Sequence, residues 1–346
     1  MTRHSGLSIL GVLVVVLASC SRPTGGVAVT SAPTSSAVAP SRSAAAGASG
    51  SPAAGACPTT PEPQGTPEGW DLTSQQPTVY PQVINPGGTI ACGRTRLMFS
   101  FLDARNVPVA SPDRTVDVQL FDLGADPAKP VAEGPATFIW AIEPSVGVYV
   151  FDADLKTAGA YGAQFTTAAK GEAPESIRVG FDVQPTSSVV AIGDKAPASD
   201  TPTLADVGGD VAEISTDTSP VKAFYETSIA DAVAARKPFV VAFATPKFCT
   251  SKQCGPTLDR LKPIAARHPG VTVINVEPYQ LEFKDGQLQP VLTGDPPKLT
   301  PTAATNEWRL PTEPWVFVVD RDGVVTASFM LIFSDEELEA ALKAVE

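Results

Sequence analysis

The pattern of apolar and polar positions divides the chain into blocks with different periods. Between residues 67 and 185, short apolar runs at 95–103 (TRLMFSFLD), 115–123, 136–143, 147–155, 160–169 and 176–183 are separated by Gly, Pro, Asp and Asn, and several of them alternate polar with apolar residues. Short alternating runs bounded by turn formers predict strands, and six or seven at such spacing predict a β-sandwich. The period then changes. Residues 228–237 (SIADAVAARK) read as a short amphipathic helix with Ser228 as its N-cap, and 238–244 (PFVVAFA) as a strand buried on both faces. Residues 256–268 read as a helix and 271–277 as a second buried strand; 314–320 and 324–331 flank the turn RDG. Residues 334–345 (SDEELEAALKAV) close the chain as a helix opened by a Ser-x-x-Glu capping box. The resulting order is β-α-β followed by β-β-α, an α/β unit over 220–346, with 186–219 as a linker.

Residues 21–66 follow neither period. Ala, Ser, Pro, Gly and Thr dominate, so the segment cannot bury enough apolar surface to offset its conformational entropy and is expected to be a disordered tether. About 46 flexible residues span roughly 35–40 Å root-mean-square. Ahead of them, Arg3 and His4 precede the apolar run LSILGVLVVVLA, which ends in LASC at residues 17–20. That run has signal-peptide length and falls short of the about 20 residues of a membrane span. The small residues followed at once by Cys20 resemble the lipobox of bacterial lipoproteins. The resemblance implies cleavage after residue 19, lipid on Cys20 and retention on the extracytoplasmic face of a cell membrane; the other reading is an ordinary secretion signal.

The formal net charge is −12, and loss of residues 1–19 removes one Arg and no acid, giving about −13. That balance argues against nucleic acid as a partner and against charge-driven binding to anionic lipid. Of five cysteines, four remain beside Cys20. An even number in an oxidising compartment favours two disulfides, and proximity along the chain suggests Cys57–Cys92 and Cys249–Cys254.

The second pair carries the candidate chemistry. It lies in FATPKFCTSKQCGP, residues 243–256, between a buried strand and a helix. Residues five apart in a regular helix rise about 7.5 Å, whereas a disulfide needs Cα atoms within about 6.8 Å. The two cysteines therefore cannot both sit in one regular helix and be bonded, and residues 250–253 must form a loop or unwind. Pro256 favours a helix start near Gly255–Pro256, which puts Cys254 nearest its N-terminus. Two registers stay open, each implied by a resemblance to thioredoxins: Cys249 follows the strand as a thioredoxin nucleophile does, with Cys254 resolving it, or CGPT resembles the thioredoxin CGPC, with Cys254 as the low-pKa thiol and Cys249 recruited. Lys247 and Lys252 add positive potential nearby.

The block 220–346 resembles the thioredoxin fold. Three features carry the resemblance: VVAFATPKFC, a buried strand ending in an aromatic before cysteine; LPTEPWVFVVDRDG, similar to the cis-proline stretch of membrane-anchored thioredoxin relatives; and the terminal helix. It implies Cys249 and Cys254 as catalytic residues. It also implies Glu313 and a cis Pro314 beside the substrate, with the backbone before the proline free to pair with an extended chain, and no cofactor. The partner would be an extracytoplasmic protein thiol or disulfide. Two departures stand out: four residues rather than two separate the cysteines, and VVAFA carries no buried acid. Within 67–185, GVYVFDADLKTAGAYGAQF resembles the last strands of immunoglobulin-like domains of bacterial cell-surface proteins.

The alternative to an enzyme is a lipoprotein with a thioredoxin-like binding module and a structural Cys249–Cys254 disulfide. A copper-handling reading after the Sco family needs a histidine. The one candidate, His268, ends the 256–268 helix, roughly 18 Å from its start, where a solvated C-terminal charge is expected. Residues 282–310 read as a polar insertion, either a lid or mere surface. Trp140 and Tyr149 read as core, and Trp308 and Trp315 as packing beneath the site. No carboxylate pair or metal-ligand cluster, phosphate-binding glycine motif or serine elbow is visible along the chain.

Overall fold

Strands β2 (Gly93–Asp103) and β6 (Val146–Leu155) are each apolar on both faces over part of their length, and the architecture follows from where those faces go. The computed structural model describes residues 57–346; the leader, Cys20 and most of the tether lie outside the described residues. Two four-stranded antiparallel sheets form a β-sandwich. In one sheet, β2 and β6 are flanked by β1 (Val79–Val83) and β5 (Thr137–Ile142). In the other, β3 (Thr115–Asp122) and β7 (Gly159–Ala168) are flanked by β4 (Pro130–Pro135) and β8 (Glu175–Val183).

Between the sheets pack Leu97, Phe99 and Phe101 from β2, Tyr149 and Phe151 from β6, Val118 and Leu120 from β3, and Phe165 from β7. Tyr149 is core as expected, its hydroxyl donating to the Ser111 carbonyl at 2.9 Å; Trp140 is only half-buried, edge-on to Phe138. The ordered chain reaches back into the stretch composed like a tether. Cys57 is disulfide-bonded to Cys92, and Thr60 donates from its amide to the Ala158 carbonyl at 2.9 Å and from its hydroxyl to Asp122 at 3.0 Å. Gly162 on β7 lies under the Trp70 ring, where an added Cβ would come within 2.1 Å of it.

The rest of the chain builds a mixed four-stranded sheet of order β10-β9-β15-β16, from β9 (Phe239–Phe243), β10 (Thr272–Val276), β15 (Trp315–Val319) and β16 (Val325–Met330). β9 runs parallel to β10 and antiparallel to β15. Strict alternation divides β9 between two cores. Val240 and Ala242 face α2 (Cys254–Ala265) and α4 (Asp335–Lys343), which contribute Leu258, Leu261, Leu338 and Leu342. Phe239, Val241 and Phe243 face α1 (Ile229–Ala235), Trp308 and the outer face of the first sandwich sheet, which contributes Met98, Ile139, Val148 and Val150. That shared core is why β2 and β6 do not alternate: their second face is buried against the mixed sheet.

The joint is not only apolar. Arg96 on β2 donates to both carboxylate oxygens of Glu337 on α4, at 2.7 and 3.0 Å, with both side chains largely buried. Glu337 also accepts the Ser334 amide at 2.7 Å, completing the capping box. The segment connecting the two parts is built in as well: Val189, Val190 and Ala196 are buried, and the Gly193 amide donates to the Val325 carbonyl at 2.8 Å.

Residues 282–310 are folded rather than loose. They form two small hairpins, β11 (Leu281–Lys284) with β12 (Gln287–Pro290) and β13 (Leu292–Thr293) with β14 (Lys298–Leu299), then α3 (Ala303–Glu307). Trp308 at their end is fully buried against Phe243 and Phe317. His268 departs from expectation too. It is buried rather than solvated, its ring nitrogens 2.8 Å from carboxylates of Glu339 and Glu346, which hold its pKa above the ordinary histidine value.

Candidate functional site

Five apolar residues drive β9 into the sheet centre, and the chain leaves it through Thr245, Pro246, Lys247 and Phe248 to reach Cys249. α2 then begins at Cys254, with residues 250–253 as the intervening loop, and the two sulfurs are bonded across a Cα separation of 6.0 Å. The geometric argument from spacing is met by that loop, with Lys252 at φ 63° providing its tight turn. Cys249 is half-buried, whereas Cys254 has no exposed surface.

The helix start is occupied in an informative way. Gln253, at the N-cap, makes no side-chain capping bond. The Cys254 amide instead donates to the Cys249 sulfur at 3.2 Å, and the Ser251 hydroxyl lies 3.3 Å from the same sulfur. Along the chain Cys254 lies nearest the helix start, with both registers open. In space, the first N–H of a 12-residue helix is aimed at Cys249, and a helix N-terminus stabilises an anion at that point.

Glu313 is the second centre of the site. Its peptide to Pro314 is cis, and both residues are buried, Glu313 with 1% of its surface exposed. One carboxylate oxygen accepts the Thr250 amide at 2.6 Å and the Thr250 hydroxyl at 2.7 Å; the other accepts the Tyr279 hydroxyl. Burial, and then the neighbouring carboxylate, push the Tyr279 hydroxyl well above the ordinary tyrosine range. The Glu313 carbonyl accepts the Ser251 hydroxyl at 2.8 Å. The backbone before the cis-proline, expected to stand free, is therefore engaged at its carbonyl, because the lengthened loop brings Ser251 over it. Glu313 holds the loop between the cysteines from inside.

A sulfur of each cysteine and a Glu313 oxygen all lie within 4.8 Å of one another. No spacing rule discloses this cluster, since its carboxylate comes from far along the chain; the Glu-Pro dipeptide before a buried strand was its one signal. Thr250, Ser251 and Tyr279 were not singled out by sequence.

A buried acid also exists, though not on β9. Glu277, at the end of β10, accepts the Thr216 amide and hydroxyl at 2.6 and 2.8 Å on one oxygen, while its enclosed second oxygen has no partner. Desolvation pushes its pKa up to about 7 against those hydrogen bonds. Glu277 and Tyr279 line an open pocket of about 400 Å³, together with Leu281, Leu288 and Thr302. Of the two lysines, Lys247 is tied to β12 through the Gln287 side chain and the Leu288 carbonyl, both at 3.0 Å, and Lys252 is exposed. Among the described residues, no helix is long and apolar enough to cross a membrane.

No family model and no curated protein matches the chain. Three solved structures show partial likeness. A DUF4426 family protein from Pseudomonas aeruginosa PAO1 has 15% identity over 31% of this chain and 90% of its own, with a TM-score of 0.23. The PmoD soluble domain from Methylocystis sp. ATCC 49242 (Rockwell) has 16% identity over 30% and 90%, with a TM-score of 0.21. The Lin-41 filamin domain has 12% identity over 31% and 93%, with a TM-score of 0.17.

Proposed function

We propose that the chain is an extracytoplasmic thiol–disulfide oxidoreductase, held to a cell membrane by lipid on Cys20, in which an immunoglobulin-like β-sandwich carries a thioredoxin-like domain. The observation that carries the reading is the asymmetry of the Cys249–Cys254 disulfide: a half-buried cysteine whose sulfur receives the helix-start N–H, bonded to a fully buried one. A thiolate attacks the accessible sulfur of a disulfide, and charge at Cys249 is the charge this helix start favours. In the oxidising direction, a substrate thiolate attacks Cys249 Sγ, the Cys249–Cys254 bond breaks, and a mixed disulfide forms. A second substrate thiolate then displaces Cys249. Two substrate thiols have become a disulfide, and their two electrons and two protons reside on Cys249 and Cys254 as thiols. The reverse sequence reduces a substrate disulfide. Exchange with a model dithiol, abolished by Cys249→Ser, is the expected result; no turnover by the folded chain would reject the reading.

One observation favours a second reading, a non-catalytic binding module with a structural disulfide. Glu313 and Ser251 fasten the loop at three hydrogen bonds, and the carbonyl before Pro314 is already taken. A reduction potential below about −300 mV with no exchange activity supports that alternative. The anchor is tested separately: Cys20→Ser is expected to release the chain from membranes into the soluble extracytoplasmic fraction, and retention of the variant would reject the lipid link.

A further inference from the structure

We propose that the reduced cysteine corner is a metal site, taking one borderline-soft divalent cation of the zinc class through Cys249 Sγ, Cys254 Sγ and a Glu313 carboxylate oxygen. The proposal builds on the exchange reading only in requiring that the disulfide opens in the folded chain.

Two thiolates and a carboxylate bind zinc at about 2.3 and 2.0–2.2 Å, which places ligand atoms roughly 3.5–4 Å apart around a tetrahedral ion. The three donors already lie within 4.8 Å of one another. Breaking the S–S bond lets the sulfurs separate to that distance without moving the backbone, whose Cα atoms are 6.0 Å apart.

Glu313 has the lone pairs for it. A carboxylate offers about four acceptor sites. The Thr250 amide and hydroxyl fill one oxygen, and Tyr279 takes one site on the other, so that oxygen keeps a free site. Ligation through that oxygen would leave all three hydrogen bonds in place as the outer support that metal-bound carboxylates use. The Cys254 amide and Ser251 hydroxyl give Cys249 the same support. Burial favours ligation as well: two thiolates beside a buried carboxylate are three like charges in a poorly solvated corner, and a divalent cation neutralises two of them. Water would complete the tetrahedron on the side of Cys249, the less buried of the two cysteines.

An external dithiol reduces the Cys249–Cys254 bond and leaves as its own disulfide. The cation then displaces one proton from each cysteine thiol, while Glu313 binds as the carboxylate. Bound metal holds both sulfurs and blocks exchange until it is chelated.

The test uses the full chain, reduced with excess dithiol without oxygen, freed of it, and counted for thiols before Zn2+ is added. One Zn2+ retained per chain, two protons released, protection of both thiols from alkylation, and at least tenfold weaker retention in Glu313→Gln are expected. Cd2+ in place of Zn2+ should give thiolate-to-metal charge-transfer absorption. Because Glu313→Gln also perturbs the loop, Cys249→Ser serves as a second variant and is expected to lose retention with the carboxylate in place. Free thiols that retain no Zn2+, or equal retention by Glu313→Gln, overturn the metal site and leave the exchange reading standing. Retention with normal affinity but no exchange activity in the metal-free protein rejects the exchange reading alone. A pair that resists reduction in the folded chain rejects both.

Discussion

The Glu313 carboxylate accepts both the amide and the hydroxyl of Thr250, at 2.6 and 2.7 Å, across 63 positions of sequence. The loop between the cysteines therefore hangs on a side chain from the segment that leads into β15. Hydrogen bonds to a charged acceptor contribute about 1.5–3 kcal/mol each. Thr250→Ala removes the hydroxyl and keeps the amide. It is expected to lower unfolding free energy by about that amount in denaturant titration and to speed alkylation of Cys249 after mild reduction. Unchanged stability and reactivity would mean that the loop is held otherwise.

Arg96 and Glu337 tie the sandwich to α4 through a largely buried bidentate pair. Removing one partner of such a pair costs about 3–5 kcal/mol, because the other charge is left buried and unpaired. Burial raises the neighbouring Asp152 carboxyl against the opposing pull of Arg96, so loss of the arginine raises it further. Arg96→Met is expected to destabilise by that order and to separate one unfolding transition into two. A variant that unfolds like the parent would show that this ion pair does not hold the two parts together.

His268 is held above its ordinary pKa by Glu339 and Glu346. A group whose folded pKa is raised contributes stability in full below its unfolded value of about 6.5 and loses it as pH rises through the folded value. His268→Gln is expected to cost stability at pH 5.5 and progressively less above neutrality, read from thermal midpoints across pH. A constant difference would contradict the ion-pair account.

Glu277 shares the direction of that pH dependence, but its ionised form enters as a cost rather than as a lost gain. Its folded pKa is pushed up to about 7, so the folded state disfavours its ionised form. Its cost to stability is absent below about pH 4.5, grows between there and 7, and then stays constant. Glu277→Gln is expected to be near-neutral at pH 4 and stabilising at pH 8, measured by chemical denaturation. Destabilisation at pH 8 would show that the carboxylate is held charged.

Much of this arrangement is legible in the apolar pattern, and the parts that escape it have physical reasons. β3 and β7 alternate, so period alone finds them, and β9 and β15 are continuous apolar runs. β1 and β4 are edge strands paired on one side only, with Pro81 inside β1 and Gly134 inside β4, residues that weaken a strand signal where an edge tolerates them. The hairpins after β10 are four residues a strand or shorter, too short for a period. Cys249 and Cys254 announce themselves by type and spacing. The burial of Glu313 does not, since Thr250 and Tyr279 come from separate elements and meet it only in three dimensions. His268 looked solvated because its partners Glu339 and Glu346 belong to the final helix and the chain end.

In the proposed working pair Cys249 lies outermost and Cys254 beneath it. The most direct test of that pair is differential alkylation after mild dithiol reduction of the folded chain, read by mass spectrometry. The account predicts that the two cysteines reduce together while Cys57–Cys92 stays closed, and that Cys249 is labelled rapidly near pH 7 and Cys254 slowly. A pair that resists reduction until the fold is denatured, or a Cys254 that labels first, would contradict it.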